Sequence, residues 1–302
     1  MPIEFKKCKN ITYFMILITG ASGFVGRNLV RHLNPRSSIR CLVRKTSDAR
    51  GLEGCELVEG DITDKDSLFA ATRDVGAVIH LVAALGASTY KENCDVHVGG
   101  AKNLAEACKA NGVKRLVVAS SVATLAERKS DYGITKKMAD EVFMASGLDV
   151  TILKQDFIYG RDGKGFLTLV EVIRRHRFIP IVGNGRYRRQ PVHVDDVCKA
   201  FFRALRSESI GKTYVVASEK PIEFNEMVDM IMRKLGVRKR KVHFPVLFML
   251  LAAKAMKLRK TKLTQTVVLG IAQDRNEDIT PLVKELGVHP IGFEEGLEKS
   301  LG

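Results

Sequence analysis

The chain has 302 residues, 45% hydrophobic and 27% charged, with a formal net charge of +15. That length and balance suit one large or two modest globular domains and exclude a disordered chain, a collagen-like repeat and a disulfide miniprotein. No apolar run reaches the ~18 residues a membrane-spanning helix needs, and the first residues are too polar for a secretory leader, so a cytoplasmic location is expected. In chain order, apolar β-rich runs at Tyr13–Thr19, Ile39–Arg44, Glu56–Val58, Ala77–Val82, Arg115–Ser120 and Val150–Lys154 alternate with helical stretches. Those helices are placed near Phe24–Leu33, Lys65–Arg73, Gly100–Asn111 and Tyr132–Ser146. Strands apolar along their length are buried on both faces, so the alternation predicts an α/β fold with a doubly wound Rossmann parallel sheet over residues 1–160. Past Gly160 the rhythm breaks. A helix is expected at Phe166–Arg175, and a strand at Thr213–Ala217 returns to the sheet within 191–220. The remainder of 161–302 is expected to form a smaller, mainly helical substrate-binding domain.

The first strand runs into Thr19-Gly20-Ala21-Ser22-Gly23-Phe24-Val25-Gly26 and then a helix. Gly20 suits a tight turn, Gly23 lets backbone N–H groups approach a pyrophosphate, and Gly26 lets helix and strand pack closely. Between a strand and a helix this spacing predicts a dinucleotide site built on Gly20, Ser22, Gly23, Phe24, Val25 and Gly26. The second strand ends in Arg44-Lys45, two cations and no carboxylate. Cations there accommodate a 2′-phosphate, so NADP is expected in preference to NAD.

Tyr132 and Lys136 are spaced i, i+4 at the start of a helix, with Asp131 expected as its N-cap, so phenol and ammonium share one face. The ammonium is expected to lower the tyrosine pKa toward that of a general acid–base. Ser120 and Ser121 end the preceding strand, at the edge where such sheets present their ligand crevice.

These features resemble the extended short-chain dehydrogenase/reductase superfamily, in its NAD-dependent epimerase/dehydratase group. The resemblance runs over nearly the whole chain through the TGASGFVG loop, Gly60–Asp64, Val78–Ala84, Ala119-Ser120-Ser121, Tyr132–Lys136, Phe157–Gly160 and Gln190–Val197. It implies that Asp61 and Ile62 contact the adenine. Leu81, Val82 and Ala83, with Phe157 and Ile158, belong to the cofactor site, and Lys136 also contacts the ribose. It assigns Ser121 as the catalytic hydroxyl that also binds substrate, and Tyr132 as the acid–base. Arg189 would grip a substrate diphosphate. His80 and His193 are assigned to packing, and Asp195 to helix capping.

Departures from the family pattern narrow the chemistry. Sugar 4,6-dehydratases carry an Asp-Glu pair after the catalytic hydroxyl, where this chain has Val122-Ala123. Tyr132 follows Ser121 by only eleven positions, and Lys154-Gln155 replaces the usual Arg-Pro. The expected function is therefore NAD(P)-dependent interconversion of hydroxyl and keto groups, on a nucleotide sugar. One alternative is an NADPH-dependent reductase of a non-sugar ketone, resembling those acting on flavonoids and steroids. Another is a dinucleotide-binding accessory protein without turnover. The resemblance also implies a homodimer formed through the helices near Gly100–Asn111 and Tyr132–Ser146.

Six scattered cysteines without a C-x-x-C pair predict reduced thiols, and no metal site is expected. From Arg233 to Lys262 there are eleven Lys or Arg and no Asp or Glu, so the rest of the chain carries only +4. The apolar stretch Phe244–Ala253 lies within this basic run. It is expected to be a packed helix with a solvated cationic rim. Peripheral membrane contact through 238–262 is a less favoured alternative, and nucleic acid is disfavoured because no binding motif is present.

Overall fold

The computed structural model describes residues 3–4, 15–34, 38–84, 89–127, 129–249 and 273–302. Seven strands form one parallel sheet: β1 (Met15–Thr19), β2 (Ile39–Val43), β3 (Glu56–Glu59), β4 (Val75–His80), β5 (Arg115–Ser121), β6 (Asp149–Gln155) and, much later in the chain, β10 (Thr213–Val216). The spatial order is β3-β2-β1-β4-β5-β6-β10, which reverses direction next to β1. Ligand crevices form at such switch points, outside the carboxyl ends of the strands. The expected strands therefore form, and the run at 213–217 does return to the sheet edge.

Alternation along each strand divides the core in two. Ile16, Ile18, Ala77 and Ile79 point to one face, and Leu17, Val78, Leu116 and Val118 to the other. The first face is covered by α1 (Phe24–His32) and α7 (Val194–Arg203). The second is covered by α2 (Lys65–Ala71), α4 (Gly100–Ala110) and α5 (Asp131–Met144). Ahead of α4 the short helix α3 (Tyr90–Cys94) runs into a wide π-helical turn at Asp95–Gly99.

A third apolar cluster lies beyond the sheet. There α6 (Lys164–Arg175), α8 (Phe224–Lys234) and α10 (Phe293–Leu301) enclose Phe166, Ile173, Ile179, Ile181, Ile231 and Leu297. Two features add detail to this mainly helical region. Strand β8 (Phe178–Val182) pairs in parallel with β11 (Arg240–Phe244). Helix α9 (Thr280–Leu286) buries Leu282 and Leu286 in the core shared with α1 and α7, so late residues pack on the sheet as well. In the basic run, Phe244 ends a strand rather than starting a helix. A helical turn begins at 246–249, and the rest of the apolar stretch and its Lys254–Lys262 flank lie outside the described residues. Among the described residues, no helix is long and apolar enough to cross a membrane, and no three potential metal ligands cluster. Among the described residues, Cys41, Cys55, Cys94, Cys108 and Cys198 form no disulfide.

Candidate active site

The glycine loop leaves the carboxyl end of β1. Gly20 has φ +79°, a left-handed conformation that favours glycine. A Cβ there would come within 3.1 Å of the Leu81 carbonyl carbon. Gly26 packs more tightly still, because a Cβ would lie 2.5 Å from the Gly20 carbonyl oxygen. The Gly23 N–H donates to the Gly20 carbonyl at 3.0 Å, and Gly23 is the N-cap of α1 with no side-chain cap. The first N–H groups of α1 thus face outward, where a pyrophosphate would satisfy them. This cradle fits the phosphates of a dinucleotide. The Phe24 ring extends away from it, to within contact distance of Gly160 and Gly163.

Around the cradle stand the other expected cofactor residues. Arg44 and Lys45 are exposed just past β2, in a turn closed by a Ser47 N–H to Arg44 carbonyl bond of 2.7 Å. The one carboxylate of this turn, Asp48, binds Arg50 at 2.8 Å and Arg27 at 3.1 Å, and the Arg50 guanidinium holds it well below the usual carboxylate range. Asp61 accepts from the Thr63 N–H at 2.9 Å, and Ile62 is buried against Gly100. Leu81 donates its N–H to the Thr19 carbonyl at 2.9 Å, with Val82 and Ala83 half-buried beyond it. Phe157 and Ile158 follow β6, also half-buried. His80 packs as expected, against Phe143 and 2.8 Å from the Thr19 hydroxyl.

The structure brings Tyr132, Lys136 and Ser121 together. Helix α5 can approach the strand end because residue 133 is glycine: a Cβ there would lie 2.7 Å from the Ala123 carbonyl oxygen. The cap is Ser130, whose hydroxyl accepts from the Gly133 N–H, so Asp131 is not the N-cap but the first helical residue. Both side chains can cap, and backbone conformation decides between neighbours. Alternation on β5 separates the two serines. Ser121 accepts from the Ala123 N–H at 3.1 Å and faces Tyr132, whose pKa it lowers, whereas Ser120 donates to the buried Asp140 carboxylate at 2.7 Å.

The electrostatics correct the expected tyrosine. Burial, with Asp140 adding to it, pushes Tyr132 up to about 12, and only the Ser121 hydroxyl opposes this. The Lys136 ammonium does not serve it as a direct partner: it donates to the Ala119 carbonyl at 2.6 Å. Burial brings Lys136 down to about 8, against the pull of Asp140. Lys154 reaches the same Asp140 at 3.8 Å.

Two further residues are placed differently from expectation. Arg189 is ion-paired with the buried Asp156, whose other oxygen accepts from the Gln190 N–H at 2.8 Å. The carboxylate therefore already occupies the expected diphosphate grip. The N-cap of α7 is His193, which accepts from the Asp195 N–H, so Asp195 is not the cap. It sits in the first turn, where negative charge suits the helix dipole, and pairs with His32 at 3.3 Å. His97, Asp140 and Asp156 are site residues that lie outside the sequence motifs. No motif in the sequence marks any of the three.

A family model for the NAD dependent epimerase/dehydratase family matches residues 16–217. Over 252 residues the chain is 25% identical to a 4-hydroxy-2-methyl-3-oxo-4-farnesyl-3,4-dihydroquinoline-1-oxide ketoreductase of Stigmatella aurantiaca, covering 76% of this chain and 75% of that one. It is 24% identical over 264 residues to a UDP-glucuronate 4-epimerase of Thermodesulfobacterium geofontis, covering 74% and 82%. Among solved structures, MoeE5 in complex with UDP-glucose and NAD superposes with a TM-score of 0.76 at 24% identity, over 95% of this chain and 97% of that one. The family match spans the glycine cradle, the Ser121–Tyr132–Lys136 group and the strand that completes the sheet, and the chain belongs to the NAD dependent epimerase/dehydratase family.

Proposed function

We propose that the protein interconverts a secondary alcohol and a ketone, with NADP(H) as cofactor and a nucleotide sugar as substrate. The Ser121 hydroxyl, placed where it lowers the Tyr132 pKa one helical turn from Lys136, supports this reading most directly. The dinucleotide, when bound, supplies or takes a hydride at nicotinamide C4. The protein's part is to hold an oxygen and move a proton. Burial keeps Tyr132 protonated far above neutral pH, so it is poised to donate its phenolic proton to a carbonyl oxygen. Ser121 offers a second hydrogen bond to that oxygen. Lys136, held down to about 8, exchanges a proton near neutral pH and suits the ribose hydroxyls. Val122 and Ala123 cannot transfer protons, which disfavours elimination of water. Replacing Tyr132 by Phe should lower turnover by roughly 10²–10⁴-fold while dinucleotide affinity is retained. Undiminished turnover in that variant would exclude the mechanism.

A second reading, an NADPH-dependent reductase of a ketone lacking a diphosphate, is favoured by the Arg189–Asp156 ion pair. A diphosphate would have to displace a buried carboxylate to reach Arg189, whereas an apolar ketone would not. The similarity to a ketoreductase is consistent with this reading. Thermal-shift screening separates the two: stabilisation by uridine or thymidine diphosphate sugars favours the first reading, and stabilisation only by apolar ketones favours the second. Tight dinucleotide binding without turnover on either panel would indicate an accessory protein.

A further inference from the structure

His97 lies in the π-helical turn between α3 and α4 and is 2% exposed. Such turns insert an extra residue into a helix and recur at functional sites. Here the turn carries an imidazole inward, between two parts of the site that no strand or helix connects. Its Nε2 lies 2.9 Å from the Ala84 N–H, in the loop after β4 expected to line the nicotinamide ribose. Its Nδ1 lies 2.8 Å from the hydroxyl of Thr135, on the helix that carries Tyr132 and Lys136. Its ring also meets the Tyr132 ring edge-on, with centroids 5.3 Å apart at 80°.

The partners settle the tautomer. A backbone N–H can only donate, so Nε2 accepts. The Thr135 hydroxyl donates to the Asp131 carbonyl at 2.9 Å, which leaves its oxygen to accept from Nδ1–H. Every polar atom of the ring is used, and a proton on Nε2 would break the Ala84 bond. The surroundings keep that proton away: burial first, then the Lys136 ammonium, bring His97 down to about 4. The neighbouring His80 is itself held well below its ordinary value by burial.

We infer that His97 is a positioning residue: as a neutral Nδ1–H imidazole it clasps the cofactor-lining loop at Ala84 to the catalytic helix at Thr135, fixing the distance between them. A histidine held by packing alone could be replaced by a ring of similar volume. A clasp requires an acceptor and a donor held about one imidazole apart. The inference rests on the proposed dinucleotide site for its effect on binding, but the clasp itself can be read without any ligand.

The test compares His97→Phe, His97→Gln and Thr135→Val with the unmodified chain, by fluorescence titration with NADPH and by amide hydrogen exchange of the 81–84 segment. Phe keeps the ring and loses both bonds. The Gln amide can accept from Ala84 through its oxygen and donate to Thr135 through its nitrogen. The Phe variant should bind NADPH about tenfold more weakly, the equivalent of one net hydrogen bond, and exchange at 81–84 should accelerate by a similar factor. The Gln variant should restore both to near the unmodified values. Thr135→Val cuts one arm and should accelerate exchange even if the Phe variant fails to fold. Unchanged affinity and exchange in a folded Phe variant would overturn the inference, as would equal damage in the Phe and Gln variants. If the unmodified chain binds no dinucleotide, the functional reading fails, and the exchange measurement still decides the clasp.

Discussion

At the scale of single residues, Lys136 sets stability against chemistry. Its ammonium is buried with one 2.6 Å carbonyl contact, and burial lowers its pKa from 10.5 to about 8. A base whose folded value lies below its unfolded value destabilises the fold at low pH, and the penalty is relieved as pH rises from about 8 to 10.5. Tyr132 runs the other way: its contribution is full below 10.0 and is lost as pH rises toward about 12. Replacing Lys136 by Met keeps the stem and removes the buried charge. That change should stabilise the protein at pH 7 by about 1–4 kcal/mol while lowering turnover. Thermal unfolding measured at neutral and at alkaline pH checks this, since the gain should shrink once the lysine of the unmodified protein is neutral. A lower melting temperature at pH 7 would mean that the Ala119 contact outweighs the buried charge. Arg44 makes a separate claim. With Asp48 held by two guanidiniums, Arg44 and Lys45 leave the turn's outer face cationic, which suits a 2′-phosphate. A charge-assisted contact contributes roughly 1.5–3 kcal/mol, about ten- to a hundredfold in affinity. Calorimetric titration should therefore show NADP binding more tightly than NAD, with the preference erased or reversed in Arg44→Asp.

At the scale of elements, α1 and α7 cross the same sheet face and are tied at one point. His32, in the last turn of α1, bonds the Asn28 carbonyl at 2.7 Å and pairs with Asp195 in the first turn of α7 at 3.3 Å. The Asp195 hydrogen bond raises the His32 pKa above 6.5, so this tie is fully present below 6.5 and is lost as pH rises through the folded value. Partial exposure limits it to on the order of 0.5 kcal/mol. The melting-temperature difference between the unmodified protein and His32→Gln should therefore be largest at mildly acidic pH and vanish in alkali. A difference independent of pH would assign the contact to packing alone. The same elements show what the sequence makes legible. Strands β1, β4 and β5 are buried on both faces and carry unbroken apolar stretches, Met15–Ile18, Ala77–Ile79 and Leu116–Ala119, while Arg40 interrupts β2 and Thr151 interrupts β6, and the glycine loop announces itself by its place between β1 and α1. Strand β11 does not, because Arg240-Lys241-Val242-His243-Phe244 resembles a charged surface run until it meets Phe178–Val182, some sixty residues earlier in the chain. Caps shifted by one or two positions because Ser130 and Asp131 can both accept a backbone N–H, as can His193 and Asp195. The Arg189–Asp156 pair and the His97 clasp join residues far apart in sequence, and a π-turn leaves no trace in helical periodicity.

At the scale of the whole molecule, Ala101, Leu104 and Cys108 on α4 are used in covering the sheet, and Ala105 on the same helix is buried as well. The large hydrophobic residues exposed on the neighbouring helices are Tyr90 on α3, at 45%, and Ile134, Met138 and Met144 on α5, at 37%, 37% and 43%. Ile134 and Met138 are one turn apart on a single face, and the Tyr90 hydroxyl reaches to 3.7 Å from the Met138 sulfur, so the three form one apolar patch. A second copy of this chain would cover the patch by pressing α3 and α5 against their twins. The opposing effect is charge, since each copy carries +15 and two copies repel. The two effects predict an association that strengthens with salt, because screening removes the repulsion and leaves the apolar contact intact. Light scattering at micromolar concentration should show a dimer, with its fraction rising between low and physiological ionic strength. Ile134→Asp should give a monomer at every salt concentration while leaving the fold unchanged, because this side chain points away from the core. A monomeric mass for the unmodified chain at high salt would show that the patch stays in water or is covered by another part of the same chain.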